Sequence, residues 1–324
     1  MVSFEPTAIQ RVLPSWKNLK DSYEIFKLSR AEVRSPKRPL VSIVIATFNW
    51  SNVLKFAIQS VLDQSYENFE LIIVGDGCTD DTAEVVANFK DKRITFFNLE
   101  VNSGSQSIPN RFGVRLARGE FVAYLGQDDI WLPNHLEWAI SSLLETSADL
   151  SFSGMVAKGP KGSNLIRIGN VGIDPFQTNL WMAPSAAVHR KDAISLVGTW
   201  VDFRDIYEPP DVEFFSRFYQ HRKEIILIKA ITVLKFPSAW NPGSYKSRGC
   251  DLQSQHLARI ARKPNFIGLE LFNFWMIRFH ASPEFDPLTN LWLNSDRSQP
   301  GWNVHLLRKI RGLEDLRNVR REID

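Results

Sequence analysis

The sequence predicts an α/β fold in which helices flank a mostly parallel central sheet. Apolar runs of strand length alternate with amphipathic stretches of helix length from residue 40 to residue 144. The run at residues 40–46 is continuous and rich in β-branched side chains, as in a strand that is buried on both faces. Alternation at this spacing indicates βαβ units with right-handed crossovers between parallel strands.

The predicted elements follow one another closely along the chain. The first half gives a strand at 40–46, a helix at 53–62, a strand at 69–74, a helix at 82–89, a strand at 94–97, a helix at 108–116 and a strand at 121–125. The second half gives a helix at 134–144, a hairpin from 150–158 and 165–168, a strand at 181–188, helices at 191–197 and 211–221, and edge strands at 225–229 and 231–236.

Three regions are predicted from these patterns. Residues 1–38 form an N-terminal extension that ends in a basic, proline-punctuated linker. Residues 39–245 carry the α/β domain, and residues 246–324 form a mostly helical region. The aromatic residues of the last region are expected to pack it against the domain, with stacking on an acceptor sugar as the alternative. They include Phe272, Phe274, Trp275, Trp292 and Trp302.

Composition excludes several classes of protein. A formal charge of +3 over 324 residues is too small to indicate nucleic-acid binding. Two cysteines, Cys78 and Cys250, imply no disulfide framework and favour a reducing compartment. Neither a signal peptide nor an apolar run of membrane-spanning length is present. The expected location is therefore the cytoplasm.

Two adjacent carboxylates, Asp128 and Asp129, follow the apolar run at 121–125. Paired acids at the carboxyl end of a strand suit a divalent cation, at the edge where an open α/β sheet binds ligands. The alternative is a turn before a helix, with Asp129 as a cap and Pro133 in the first turn.

Polar residues follow two other predicted strands. Thr47 and Asn49 come after the first strand, and Asp76 comes after the second. Asp76 suits a base imide or a ribose hydroxyl, although a helix cap has the same form. Neither a dinucleotide fingerprint nor a P-loop is present, so phosphate charge has to be met by a cation or by basic side chains.

Five ordered motifs resemble the family 2 glycosyltransferases, an inverting group with a GT-A fold. They are VSIVIATFN at 41–49, IVGDGCTDDT at 73–82, NSG at 102–104 with Asn110 downstream, ARGEF at 117–121 and QDDIWLP at 127–133. The resemblance covers roughly residues 40–240, and the ordered set is far more specific than any single motif. It implies a Rossmann-like sheet with a nucleotide-binding half at 39–130 and an acceptor half at 131–245.

The resemblance also implies roles for the strand-end residues. Asp129 would be the principal contact of a divalent metal, Mn²⁺ or Mg²⁺, and Asp128 would face the donor ribose or the metal-bound waters. The other residues that would line the nucleotide pocket are Thr47, Phe48, Asn49 and Asp76, with Phe48 in place of the more usual Tyr.

Inverting transfer needs a carboxylate that deprotonates the acceptor hydroxyl. The family usually supplies it from a Glu-Asp pair that opens a late helix, and the run EPPDVEF at 208–214 occupies that place. Asp211 aligns with the Asp of the pair and is the predicted base, while Pro210 replaces the Glu. A plain helix cap has the same form, and Glu208 and Glu213 are the alternative bases.

The sequence thus predicts a metal-dependent, inverting glycosyltransferase. It would move a sugar from a nucleoside diphosphate sugar to a glycan, lipid-linked or other hydroxyl acceptor in polysaccharide or glycoconjugate synthesis. A non-catalytic module that binds nucleotide sugars or glycans is one alternative, motivated by Pro210 and by Gly75, where many relatives carry Asp. A nucleotidyltransferase is another, although the loop after the first strand lacks a Gly-rich, basic character.

Basic side chains outside the motifs have two interpretations each. Lys246 or Arg248 could meet a diphosphate, with solvated surface charge as the alternative. The tail residues Arg308, Lys309 and Arg311 are expected on a solvated helix face. A weak peripheral contact with anionic lipid at the inner face of the membrane is the other interpretation of this tail.

Overall fold

The computed structural model of the chain describes residues 37–160, 166–169, 183–262 and 295–314. Most of the predicted N-terminal extension therefore lies outside the described residues. So do four of the aromatic residues that were expected to pack the C-terminal region, namely Phe272, Phe274, Trp275 and Trp292. The division into three regions stays a prediction.

Strands and helices alternate through the first half of the chain. The strands are β1 (Val41–Thr47), β2 (Phe69–Gly75), β3 (Ile94–Asn98), β4 (Phe121–Tyr124), β5 (Ile130–Trp131), β6 (Leu150–Lys158), β7 (Ile166–Gly169), β8 (Ala187–Arg190) and β9 (Ile225–Lys235). The helices are α1 (Ser51–Leu62), α2 (Thr82–Ala87), α3 (Ser107–Leu116), α4 (His135–Thr146), α5 (Ile194–Val197), α6 (Pro210–Gln220), α7 (Ser244–Ser247), α8 (Asp251–Arg262) and α9 (Trp302–Arg311).

One sheet contains all of these strands. Its order is β3-β2-β1-β4-β8-β6-β9-β5, with β7 paired to β6. The first four strands run parallel, β8 is antiparallel to both of its neighbours, and β6 pairs with β9 in parallel. The predicted α/β fold is confirmed, with the parallel character concentrated in the half that contains β1 to β4.

The core explains why these runs become strands. Every residue of β2 is buried, and so is nearly every residue of β1, because helices cover both faces of the sheet. A smaller apolar cluster on β5, β6 and β9 is covered by Leu252, Leu257 and Ile260. These three side chains come from α8, so this helix packs on the sheet through aliphatic residues.

The predicted strands near the end of the domain need two corrections. The segments at 225–229 and 231–236 form one continuous strand, β9, which lies inside the sheet between β6 and β5. A register shift after Ile228 marks a bulge, and this bulge broke the alternation in the sequence. The strand predicted at 181–188 begins only at Ala187, because Pro184–Ala186 form a 3₁₀ turn.

No helix within the described ranges is both long and apolar enough to cross a bilayer.

Two buried histidines tie strands to helices through neutral imidazoles. His189 Nδ1 lies 2.8 Å from the carbonyl of Arg190 and must donate to it, so Nε2 accepts from the Tyr124 hydroxyl at 2.9 Å. Burial lowers the pKa of His189 to about 4 and that of His135 to about 3, from their ordinary value of 6.5. The native state therefore binds fewer protons than the unfolded state in mild acid.

The free energy of unfolding should fall as pH drops from 6.5 towards 4, since the unfolded chain takes up these protons and the native chain does not. In His189→Gln this fall should be shallower by up to about 1.4 kcal/mol per pH unit. Urea unfolding at several pH values measures the slope. The exposed His221 provides the control, His221→Gln, which should retain the wild-type slope; equal slopes in all three proteins would contradict the assignment.

Candidate active site

The site lies at the carboxyl edge of β1, β2 and β4, as parallel pairing dictates. Thr47 is in register with Gly75, and the Asp76 amide donates to the Thr47 carbonyl at 2.8 Å. The loops after β1 and β2 are therefore adjacent. The end of β9, the first turn of α6 and the C-terminal helix α9 supply the other walls, as their contacts below show.

Gln127 connects the loop after β1 to α7. Its Oε1 accepts from the Thr47 hydroxyl at 2.6 Å and from the Phe48 amide at 3.0 Å, and its Nε2 donates to the Tyr245 hydroxyl at 2.6 Å. The Tyr245 ring lies 4.8 Å from that of Trp50 and 6.4 Å from that of Phe48, between ring centroids. Burial raises the pKa of Tyr245 to about 12. Gln127 and Tyr245 were not among the predicted site residues.

Asn49 orders the loop after β1 against the loop after β2. Its φ of 45° is left-handed, a conformation that Asn tolerates better than most residues. Its Oδ1 accepts from the amides of Thr79 at 2.7 Å and Asp80 at 3.2 Å. In this structure Asn49 thus shapes the edge of the site through backbone contacts.

Asp76 is buried beneath the loop at 102–104. Its carboxylate accepts from the Ser103 amide at 2.8 Å, the Gly104 amide at 3.1 Å and the Asn102 side chain at 3.1 Å. Burial raises the pKa of Asp76 to about 6, and the hydrogen bonds from this loop, together with Arg308, limit the rise. Asp76 therefore positions the loop; its predicted contact with a nucleotide base stays a prediction.

Asp129 is completely buried and is held by three protein groups. Its Oδ2 accepts from the Ser185 hydroxyl at 2.5 Å and from Lys235 Nζ at 2.8 Å, and its Oδ1 accepts from the Phe236 amide at 3.1 Å. Burial alone would lower the pKa of Lys235, but the surrounding carboxylates raise it above its usual value. Asp129 is thus paired with a lysine at the end of β9, a partner that local sequence could not reveal.

Asp128 differs from its neighbour because it is only half-buried. Burial and the adjacent Asp129 raise its pKa to about 6, and Lys235 and Arg311 oppose the rise. A side chain at Gly126 would lie only 2.8 Å from Asp129 Oδ2 and 3.3 Å from Asp128 Oδ1, which explains the absence of a larger residue there. The two acids pack tightly around this glycine.

The site fits a divalent ion at Asp128 better than at Asp129. Asp128, Asp129 and Asp211 face two cations, Lys235 and Arg311, so the cluster carries one excess negative charge when all are ionised. Across the described ranges no three acidic, His or Cys side chains converge to hold a metal. Water and donor phosphates would complete the shell, as Mg²⁺ tolerates. Asp129 as the principal contact stays a prediction that requires its lysine pair to open.

Asp211 lies in the first turn of α6 and interacts electrostatically with Lys235, as Asp128 and Asp129 do. Burial raises its pKa, while the Val212 amide, Lys235 and Arg311 lower it part of the way. The two alternative bases are placed differently. Glu213 forms an ion pair with Arg217 at 3.0 Å, and Glu208 is exposed.

Helix α9 brings two arginines to the site. Arg308 is 5% exposed and donates to the Gly104 carbonyl at 3.1 Å, and Arg311 is half-buried near Asp128 and Asp211. The expectation of a solvated face is confirmed for the exposed Lys309 and is wrong for Arg308, because α9 packs against the loops of the domain. Lys246 and Arg248 are both exposed.

A surface cavity of about 590 Å³ lies at the opposite edge of the sheet. Gly119 and Glu120, which precede β4, line it together with Lys191 and Asp192. The residues of the acid cluster do not line this cavity.

Part of this chain is similar to known glycosyltransferases. Residues 42–190 match the model of glycosyl transferase family 2. WfgD of Escherichia coli, a UDP-Glc:α-D-GlcNAc-diphosphoundecaprenol β-1,3-glucosyltransferase, is 35% identical over 113 residues, which are 35% of this chain and 44% of WfgD. The chain spans about half or less of the length of the first curated relatives that it matches.

Solved structures share the fold. TarS 1–349 of S. aureus, solved in complex with UDP-GlcNAc, has a TM-score of 0.53 at 18% identity and covers 83% of this chain and 81% of its own. PcManGT of Pyrobaculum calidifontis, solved with GDP-Man and Mn²⁺, has a TM-score of 0.50 at 13% identity. The match covers 86% of this chain and 87% of PcManGT. The segment 42–190 of this chain is thus assigned to the family 2 glycosyltransferases.

Proposed function

We propose that the chain transfers a sugar from a nucleoside diphosphate sugar to a hydroxyl acceptor, with inversion, in polysaccharide or glycoconjugate synthesis. The supporting observation is that Asp128, Asp129 and Asp211 all act electrostatically on one lysine, Lys235, at the end of β9. A candidate base and the predicted donor-binding acids thus share one site, although they come from distant parts of the sequence.

Similar proteins support a nucleotide sugar as the donor. TarS was solved in complex with UDP-GlcNAc, PcManGT was solved in complex with GDP-Man, and the name of WfgD contains UDP-Glc. For this chain, the proposed nucleotide pocket comprises the residues that follow β1, β2 and β4, namely Thr47, Phe48, Asn49, Asp76 and Asp128. Gln127 supports this pocket, because it fixes the Thr47 side chain and the Phe48 amide.

A divalent ion, Mn²⁺ or Mg²⁺, is part of the proposal. Asp128 would hold it, since this carboxylate is half-buried and lies beside Asp129; burial first, and then the negative charge of Asp129, raise its pKa. When bound, such an ion offsets negative charge on the departing diphosphate. The protein supplies one positive charge of its own at this site, the ammonium of Lys235, which is paired with Asp129.

Asp211 is the proposed general base. As the acceptor oxygen forms its bond to the anomeric carbon, the hydroxyl proton passes to the Asp211 carboxylate. The bond from that carbon to the diphosphate oxygen breaks on the opposite face, and its electron pair leaves with the diphosphate. A pKa raised by burial makes Asp211 a stronger base than an exposed aspartate.

The variant Asp211→Asn should bind nucleoside diphosphates normally and lose transfer by about 100-fold or more, because the amide cannot accept the proton. Release of nucleoside diphosphate from donor in the presence of acceptor measures turnover, and calorimetry measures binding. Glu208→Gln is the matched control and should retain turnover, since Glu208 is exposed. Full transfer by Asp211→Asn would assign the base elsewhere.

A thermal-shift screen of nucleoside diphosphates and their sugars, with Mn²⁺ or with chelator, should reveal the donor base. The matching nucleotide should raise the unfolding midpoint by a few degrees, and more in Mn²⁺ than in chelator. A non-catalytic module would show the same shift without turnover in any acceptor. Pyrophosphate release from a nucleoside triphosphate would instead indicate a nucleotidyltransferase, and no shift with any nucleotide would refute the proposed donor class.

A further inference from the structure

We propose that Arg311, carried by the C-terminal helix α9, binds the diphosphate of the donor. The inference rests on the proposed function and extends it to a helix beyond residues 42–190, the segment that matches the family. Arg311 would be a donor-binding residue, and α9 the element that positions it.

The location of Arg311 is the first argument. On one side of Arg311 the Ile310 carbonyl accepts from the Gly243 amide at 2.8 Å, and on the other a side chain at Gly312 would lie 3.0 Å from Lys246, so this turn of α9 lies against α7. Tyr245 of α7 in turn accepts from Gln127, the residue before Asp128. The charge of Arg311 also acts on Asp128, Asp211 and Tyr245, which follow β4, open α6 and belong to α7, so it influences three walls of the site. A diphosphate that leaves from a sugar beside the base Asp211 would pass near this group.

The hydrogen-bonding state of Arg311 is the second argument. Its Nε is buried, and no group among the described residues accepts a hydrogen bond from it. Buried donors in native proteins nearly always have a partner, and a guanidinium matches phosphate oxygens with two parallel N–H groups. Lys235 differs in this respect, because its ammonium is already paired with Asp129 at 2.8 Å.

The attachment of α9 is the third argument. Trp302 Nε1 and Asn303 Nδ2 donate to the Tyr207 carbonyl at 2.8 and 2.9 Å, just before α6. The Ile310 carbonyl accepts from the Gly243 amide at 2.8 Å, and Arg308 donates to the Gly104 carbonyl at 3.1 Å. The helix is thus fixed to three loops around the site, and these contacts hold the backbone of its last turn, which carries Arg311.

The charge balance agrees with this assignment. Lys235 offsets Asp129, and Arg311 is the second cation that faces the remaining acids, Asp128 and Asp211. A bound divalent ion at Asp128 would satisfy that carboxylate and leave the guanidinium available to phosphate oxygens. Asp128 would then hold the ion, Arg311 would bind phosphate oxygens, and both positive charges would offset the charge of the same diphosphate.

The test compares Arg311→Gln with Lys309→Gln, a matched loss of one positive charge two residues away on the exposed face of α9. Calorimetry in Mn²⁺ measures the affinities of UDP, UMP and uridine, and of GDP, GMP and guanosine. For the base that binds, Arg311→Gln should weaken the diphosphate by about 10-fold to 100-fold and change the nucleoside little. Lys309→Gln should match the wild type throughout.

An unchanged ratio of diphosphate to nucleoside affinity in a folded Arg311→Gln protein would overturn the inference. If that variant does not fold, Arg311→Lys gives the same comparison with charge retained, and its ratio should lie below that of the wild type because the paired N–H geometry is lost. A wild-type ratio in Arg311→Lys would then overturn it. Failure of the wild-type chain to bind any nucleoside diphosphate would refute the proposed function instead.

Discussion

The contact between Asp129 and Lys235 fixes the geometry on which the candidate site depends. It joins the loop after β4 to the end of β9, while Ser185 and the Phe236 amide hold the same carboxylate from two other directions. A buried pair of this kind adds little net stability, but loss of one partner leaves an uncompensated charge that costs about 3–5 kcal/mol. The pair therefore acts mainly as a constraint on how the two halves of the sheet meet.

This constraint separates the two adjacent acids into different roles. Both carboxylate oxygens of Asp129 are bonded to protein groups. Asp128 is half-buried, and the cluster of charged side chains to which it belongs is on balance negative. An Asp doublet in the sequence gives no means of deciding which member is internal. Two features place Asp129 inside the protein. Gly126 has no side chain to collide with its carboxylate, and Lys235 on a distant strand pairs with it.

The fold could be predicted from the sequence wherever a buried element is encoded by a run of neighbouring apolar residues. β1 and β2 were located to within a residue because strands covered on both faces are nearly continuously apolar. β5 was missed, since Ile130 and Trp131 lie within the acid motif and pair with residues of β9 about a hundred positions away. β9 was predicted as two edge strands, because the bulge in this interior strand appears only in its pairing with β6.

The site shows the same division between local and distant information. Thr47, Asp76, Asp128 and Asp211 could be proposed from motifs, because strand ends and helix starts are local features. Lys235, Tyr245 and Arg308 could not, since an isolated lysine, tyrosine or arginine has no pattern until the fold brings it to its partner. Arg308 in particular looked like part of a solvated basic tail and is instead nearly buried.

The distance along the chain between Asp129 and its lysine also matters during synthesis. A nascent polypeptide that has emerged only to residue 190, where the family match ends, contains the acid motif but not the counterion on β9. Its carboxylate would have to stay hydrated, which keeps the strand-end loops from closing. The segment by which the family is recognised therefore lacks the lysine that pairs with its own acid motif.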